Sequence, residues 1–452
     1  MKLIVSCIVL IIVFIYAEGN FHTGKLEQRE SLYQLFSTAT AYDAVRGKIK
    51  KIDDCKPKTM WAFFRHGTRY PHVREMVRYR KLEDLRDRII SNHASGNGRL
   101  NQFQLYLLHD WSFNITDDQN MHLTLSGYKE LYDLGKRLKK RFSHIFDKKH
   151  LESINVKRTS AERTDESEEA LLQGLFGSYS SYLNDNIDDN LLKNTKQCPF
   201  WKTTTESPTL KKHIKDFENS SEAAILLHNV NNRLGFTDEL TFETVKDMYD
   251  ICAFENSWYH GEYSTWCGVF STKELQLMEY LEDLTYYWKS GYGNKYTSKL
   301  GCQLVQDMIE KLNLSEYLPK ANTYFAHSSG IRELLVSLGI GRCQEDLPGN
   351  RYVSPSERDN CWRTSYLTPF SANIISVLYS CKTKTGKQPK VGVYVNEKLV
   401  EIPHCNGEEL CDLETFKAGY SSLVDQSYCN REFCFTGSTT GSTSSANNDN
   451  DD

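Results

Sequence analysis

Strand-like sequence occurs in the first and last thirds of this chain and is nearly missing from its middle, which constrains the fold more than any other feature. Met60 to Phe64 is a short apolar run that reads as a buried strand. Strand signals return only at Thr323 to Ala326, Ile374 to Leu378, and Val391, Val393 and Val395. The stretch between is rich in Lys, Glu, Tyr and Trp, and Thr272 to Lys289 and Cys302 to Leu312 have helical periodicity. An α/β core split by a mostly α-helical insertion is expected, with residues 20–184 and 316–435 forming the core and 185–315 the insert. The two outer parts must meet in space, and that brings His66 and His327 together.

Other helices follow from apolar spacing. Val73, Val77, Leu82, Leu85 and Ile89 predict one after Pro71, and Tyr128, Leu131, Leu134, Leu138 and Phe142 predict another. The charge run Lys136, Arg137, Lys139, Lys140 and Arg141 reads as the solvated side of the second helix. Arg74, Arg78, Arg80 and Lys81 read either as a polyanion-lining set or as a wet helix face.

The 452 residues, 39% hydrophobic and 12% aromatic, suit a globular protein with an ample core. A net charge of -4 argues against a general nucleic-acid binder, so any polyanion must meet a local basic pocket. Residues 1–19 carry an apolar run, Leu3 to Tyr16, followed by small residues, and read as a signal peptide. No later stretch is apolar enough to span a membrane, so a soluble, secreted protein is expected. Residues 436–452 lack apolar anchors and are expected to be disordered; they carry no retention signal of the K-D-E-L type.

Cys7 lies in the leader, and the other twelve cysteines suggest disulfides in a secreted protein. Short loops suggest Cys252 with Cys267, Cys343 with Cys361, Cys405 with Cys411 and Cys429 with Cys434. Cys55, Cys198, Cys302 and Cys381 are left for long-range bridges. Sequons at Asn114, Asn219 and Asn313 are candidate glycosylation sites.

The chemistry concentrates where the first strand ends, in Arg65-His66-Gly67-Thr68-Arg69-Tyr70-Pro71. Two guanidinium groups beside an imidazole push it toward its neutral, nucleophilic form and call for an anion. With His66 as nucleophile on phosphorus, Arg65 and Arg69 match the non-bridging oxygens of a phosphoryl group. Thr68 adds a hydroxyl donor, and Gly67 allows a tight turn. The run matches the R-H-G-x-R-x-P signature of the histidine acid phosphatases, which this chain therefore resembles. The resemblance implies a phosphohistidine at His66 and a phosphate clamp of Arg65 and Arg69. Val156 to Arg163 resembles the segment that supplies a third phosphate-binding arginine, here Arg163. Tyr324 to His327 resembles the half-site whose histidine also contacts phosphate.

Cys252 to Glu255, Trp266-Cys267, Glu279 to Leu284, Tyr287 to Gly293 and Tyr366 to Asn373 are similar to the multiple inositol polyphosphate phosphatase branch. That likeness runs from about Phe36 to Leu423. It implies a histidine-phosphatase-type α/β fold and a small-molecule phosphomonoester substrate: inositol polyphosphates such as phytate, with 2,3-bisphosphoglycerate a further candidate. No metal, nucleotide or flavin cofactor is required, because arginines supply the positive charge. The branch follows its second histidine with Ala and then Glu, the acid for the leaving alcohol. This chain has His327-Ser328-Ser329, with Glu333 a helical turn beyond as one substitute. The alternative function is therefore a secreted, low-turnover phosphatase-like binding protein. Mutase chemistry on the same fold is a third reading, opposed by the insert and the leader. The sequence carries no signal for oligomeric state.

Overall fold

The computed structural model describes residues 32–183, 186–259, 264–312, 320–358, 361–384 and 386–436. The expected signal peptide over residues 1–19, the Asn313 sequon and residues 437–452 of the expected disordered tail lie outside them. A seven-stranded sheet comprises β1 (Cys55–Arg65), β2 (Ile154–Arg158), β3 (Lys320–Ala326), β4 (Asn373–Thr383), β5 (Gly386–Val395), β6 (Lys398–Val400) and β7 (Cys411–Asp412). The order is β2-β3-β1-β4-β5-β6, with β7 on β5. β1, β2 and β3 run parallel, and β4 antiparallel to β1 joins the two outer parts of the chain. The predicted strands fall within β1, β3, β4 and β5. β2 is not predicted, because it is only five residues long and three of them, Asn155, Lys157 and Arg158, are polar.

Both faces of β1 are buried, which explains its unbroken apolar run. Met60, Ala62 and Phe64 pack with Leu131, Leu134, Leu138 and Leu171 from two helices on one face. Trp61 and Phe63 pack with Leu304, Met308, Leu334 and Leu338 from two helices on the other. Each such leucine, fully buried, contributes roughly 2 kcal/mol. The principal helices are α1 (Val73–Arg80), α2 (Leu82–Ala94), α3 (Leu125–Arg141), α4 (Glu162–Phe176), α5 (Phe242–Trp258), α6 (Thr272–Ser290), α7 (Thr297–Lys311) and α8 (Ser328–Leu338). α3 with α4 and α7 with α8 make the outer layers of a three-layer sandwich. A separate helical core joins α1 and α2 to α5, α6 and neighbouring segments, forming a cap that draws on residues before and after β2. Among the described residues, no helix is long and apolar enough to cross a membrane.

The single helix expected over residues 73–89 is two, meeting at Lys81. A capping box at His72 and Glu75 starts the first. Met76 and Tyr79 form its buried face, and Val77 is 49% exposed. The charge run on α3 is not wholly solvated, since Arg137 pairs with the buried Glu397 at 2.8 Å.

Among the described residues there are six disulfides. Cys252–Cys267, Cys343–Cys361 and Cys405–Cys411 close the expected short loops. The expected Cys429–Cys434 bridge does not exist. Cys429 joins Cys302 and Cys434 joins Cys198, tying the C-terminal segment to α7 and to the helix Pro199–Thr205. Cys55–Cys381 links β1 to β4. The Asn114 and Asn219 side chains are exposed.

Candidate active site

The carboxyl ends of β1 and β3 lie in register, Arg65 opposite Ala326, so His66 and His327 leave adjacent strands side by side. Their ring centroids are 5.7 Å apart. The His66 amide donates to the Ala326 carbonyl at 3.0 Å, and its own carbonyl accepts from Ser371 N at 3.0 Å. His66 Nδ1 donates to the Gly67 carbonyl at 2.8 Å, which assigns the lone pair of the neutral ring to Nε2.

Gly67 serves close packing without a positive φ: a Cβ there would meet the Gly127 carbonyl at 2.5 Å. Thr68 differs from expectation. Its amide and hydroxyl donate to Glu130 at 3.1 and 3.0 Å, so it braces the loop and does not offer its hydroxyl to a ligand. Buried Glu130 accepts two further bonds, from Tyr42 N at 3.1 Å and Ser371 Oγ at 2.7 Å. One carboxylate thus joins α3, the signature loop and the segment before β4.

Arg65 is buried, held by the carbonyls of Thr38 and Thr368 and stacked 4.5 Å from the Phe370 ring. Arg69 Nη1 donates to the Tyr70 carbonyl at 2.8 Å, with the guanidinium 5.6 Å from the Phe254 ring of the cap. Both line a cavity of about 240 Å³. Arg163, in the first turn of α4, donates to His327 Nδ1 at 3.2 Å. Because a guanidinium only donates, His327 Nε2 carries the proton and donates to Thr159 Oγ1 at 3.2 Å. Arg163, His327 and Ser329 line an adjoining cavity of about 280 Å³, and His72 and Met121 belong to the walls of both. Met121 holds φ 64° at this seam, a conformation that β-carbon sterics disfavour.

The cavities are rich in cations that the sequence pattern did not single out. Lys246 and Lys289 join Arg65, Arg69 and Arg78 in the first, and Lys193 and Lys196 join Arg163 in the second. Only Arg78 of the basic set after the signature lines the cleft, paired with Asp247 at 2.8 Å; Arg80 meets Asp117, and Arg74 and Lys81 are exposed. Glu75, Asp250 and Glu282 also line the first cavity. Burial pushes the Asp250 carboxyl up to about 7, against the pull of Lys246 at 2.9 Å and with help from Glu282. Among the described residues no carboxylate lines the second cavity. Glu333 is buried and accepts from Asn194 Nδ2 at 3.0 Å, outside the walls of both. Lys246 and Asp250 escape sequence reasoning because an i, i+4 pair on a helix ordinarily marks a solvated face.

Residues 58–396 match the sequence model of the histidine phosphatase superfamily, branch 2. The chain is 32% identical over 429 residues to multiple inositol polyphosphate phosphatase 1 of Drosophila melanogaster, covering 92% of this chain and 89% of that protein. It is 26% identical over 437 residues to the Homo sapiens protein of the same name, with 89% of each covered. The phytase from D. castellii has a similar fold, with a TM-score of 0.73 at 20% identity over 92% of each chain. So does the Bifidobacterium longum multiple inositol polyphosphate phosphatase in complex with inositol hexasulfate, with a TM-score of 0.64 at 13% identity over 87% of this chain and 98% of that one.

Proposed function

The chain belongs to the histidine phosphatase superfamily, branch 2, and we propose that it hydrolyses inositol polyphosphates through a phosphohistidine at His66. The approach of His66 to His327, 5.7 Å between rings, with Arg65, Arg69 and Arg163 on the adjoining walls, is the observation that carries this reading. His66 Nε2 attacks phosphorus, the bond to the alcohol oxygen breaks, and that oxygen takes its proton from solvent as the alcohol leaves. Water then cleaves the P–N bond and releases phosphate. The three arginines oppose the charge on the equatorial oxygens, and the Nδ1 bond to Gly67 holds the nucleophile's tautomer. The cations along both cavities would engage phosphates other than the one transferred. Six disulfides fit an oxidising, secretory compartment, and exposed Asn114 and Asn219 are the sites where we place N-linked glycans.

The step that stands apart is protonation of the leaving group. Ser328-Ser329 occupies the place where the branch carries its acid, and Glu333 is engaged by Asn194. A missing general acid costs about 10²–10⁴-fold for a poor leaving group and little for an aryl phosphate. We therefore expect phytate to turn over at least about a hundredfold more slowly than an aryl phosphate. This same feature supports the second reading, a protein that holds polyphosphate and releases little of it.

Steady-state phosphate release from both substrates, for wild type and His66→Ala, separates the readings. Loss of the nucleophile is expected to lower turnover by about 10⁴-fold or more. Acid quenching should also trap labelled phosphate on wild type alone. Wild-type turnover equal to that of the variant would leave only binding.

A further inference from the structure

A second concentration of positive charge lies at the opposite end of the sheet. A groove of about 560 Å³ is lined by Lys51, Lys56, Lys58, Arg141, Lys382 and Lys387, against one carboxylate, Asp54. From Lys56 to Arg65 along β1 is roughly 30 Å at 3.3 Å per residue, so the groove is separate from the catalytic cleft. With a net charge of -4 on the whole chain, this asymmetry is local.

Neutralisation from within the protein is slight. Lys51 meets Asp53 at 3.4 Å, both more than three-quarters exposed, which is worth little. Lys56, Lys58, Lys382 and Lys387 make no ion pair among the described residues. Lys382 and Lys387 are directly opposite in the β4–β5 ladder, an arrangement of like charges that destabilises a hairpin. Ser380, the partner of Lys56 in the β1–β4 ladder, lies two residues before Lys382 and so on the same face. Arg141 donates through Nε to the Lys50 carbonyl at 3.0 Å, while its buried Nη2 has no hydrogen-bond partner. His144, on the same wall, is held below its ordinary pKa by burial and then by Lys56 and Lys58. The Cys55–Cys381 bridge ties the two strands beneath this strip.

The apolar content narrows the class of partner. Phe142 is fully buried, and none of the large hydrophobic side chains that are exposed lies in the groove. The groove offers no exposed large apolar group for insertion into a bilayer and no exposed Phe, Tyr or Trp face for stacking single-stranded nucleic acid. A chain of closely spaced strong acids requires only cations at intervals.

We propose that this groove is a docking site for a sulfated polysaccharide, whose sulfates lie between Lys382 and Lys387 and along Lys56 and Lys58 toward Arg141. Occupation relieves the repulsion across the hairpin end. It leaves the cleft open, so the protein would act on soluble substrate while held on a matrix.

Heparin is the probe. Wild type should bind it with an affinity that falls steeply with NaCl concentration. A variant with Lys56→Gln, Lys58→Gln, Lys382→Gln and Lys387→Gln should bind at least about tenfold more weakly at physiological salt, the slope of log K against log salt falling by about one per contacting lysine. Its phosphate release from an aryl phosphate should equal that of wild type, which also reports its folding. Lys193→Gln with Lys196→Gln, which removes cations of the cleft, should leave heparin affinity unchanged. Wild-type affinity in the quadruple variant, or loss of binding in the cleft variant, would overturn the assignment. So would binding to phosphatidylserine vesicles or duplex DNA at least as tight as to heparin.

Discussion

The sandwich and the cap both bury acids, but they treat them differently. In the sandwich, Glu130 accepts four hydrogen bonds, and Glu397 receives Arg137 together with the Tyr42 hydroxyl. In the cap, the carboxyls of Asp250, Glu255 and Glu279 are each pushed up to about 7, with burial the largest cause. The sandwich spends its buried charge on fixing the loop that carries His66. In the cap, burial raises the pKa of these acids even where partners offset it, as Arg363 and Ser365 do for Glu279, and Asp250 lies on the wall of the cleft. Rigid positioning of His66, the proposed nucleophile, and acids whose charge burial disfavours thus fall in different layers.

Removing the hub of the sandwich should have the largest effect. Glu130→Ala leaves the amides of Tyr42 and Thr68 and two hydroxyls without their acceptor in a buried site, where each unsatisfied donor costs about 1–3 kcal/mol. With partial relaxation, a loss of about 3 kcal/mol is expected, read as a lower urea midpoint with unchanged slope. Turnover should fall with it, since Ser371 and Thr68 flank His66. A midpoint within about 0.5 kcal/mol of wild type would mean that the four bonds are dispensable.

The same division explains what was legible in the sequence. β1 is readable because both its faces are buried, and the signature after it because Arg65, His66 and Arg69 are contiguous. His327 is readable at the end of a second apolar run. The cap's contribution is not: Lys246, Asp250 and Glu282 reach the cavity only after α5 and α6 pack against α1, and tertiary packing leaves no mark on local spacing. The packing roles of Thr68 and Gly67 are not legible, because their partners, Glu130 and Gly127, lie on a helix some sixty residues away. The Cys429 and Cys434 bridges failed for a related reason: proximity in sequence was the only guide, whereas the C-terminal segment packs across α7.

The pH dependence of stability sharpens the contrast. Glu255 is the simplest of the cap acids, since its neighbours are Trp111 Nε1 and Ser264 Oγ, both donors that only partly offset burial. A carboxyl whose folded pKa is raised binds more protons folded than unfolded between its ordinary value of 4.5 and about 7. Stability from this group is therefore fully present below the lower value and is lost as pH rises through the upper one. Relative to Glu255→Gln, wild type should lose up to about 1.4 kcal/mol per pH unit across that window. Urea midpoints of the two proteins at pH 5 and pH 7 measure it. Parallel shifts would show that the cap's acids are as well satisfied as those of the sandwich.

The smallest effect tests whether the second cavity selects for several phosphates at once. Lys193 Nζ donates to Ser160 Oγ at 2.7 Å and pairs with Asp189 at 3.1 Å, so part of its charge is already compensated. The remainder, in a partly solvated wall, should be worth about 0.5–1 kcal/mol toward an additional phosphate. Lys193→Gln is then expected to raise KM for phytate by about two- to fivefold, since 1.4 kcal/mol corresponds to tenfold. On the proposed reading an aryl monophosphate fills only the subsite of Arg65, Arg69, Arg163 and His327, and its KM should stay as in wild type. Equal increases for the two substrates would place Lys193 with the positioning elements of the sandwich, because a residue that orients Arg163 or His327 affects every phosphate that binds there.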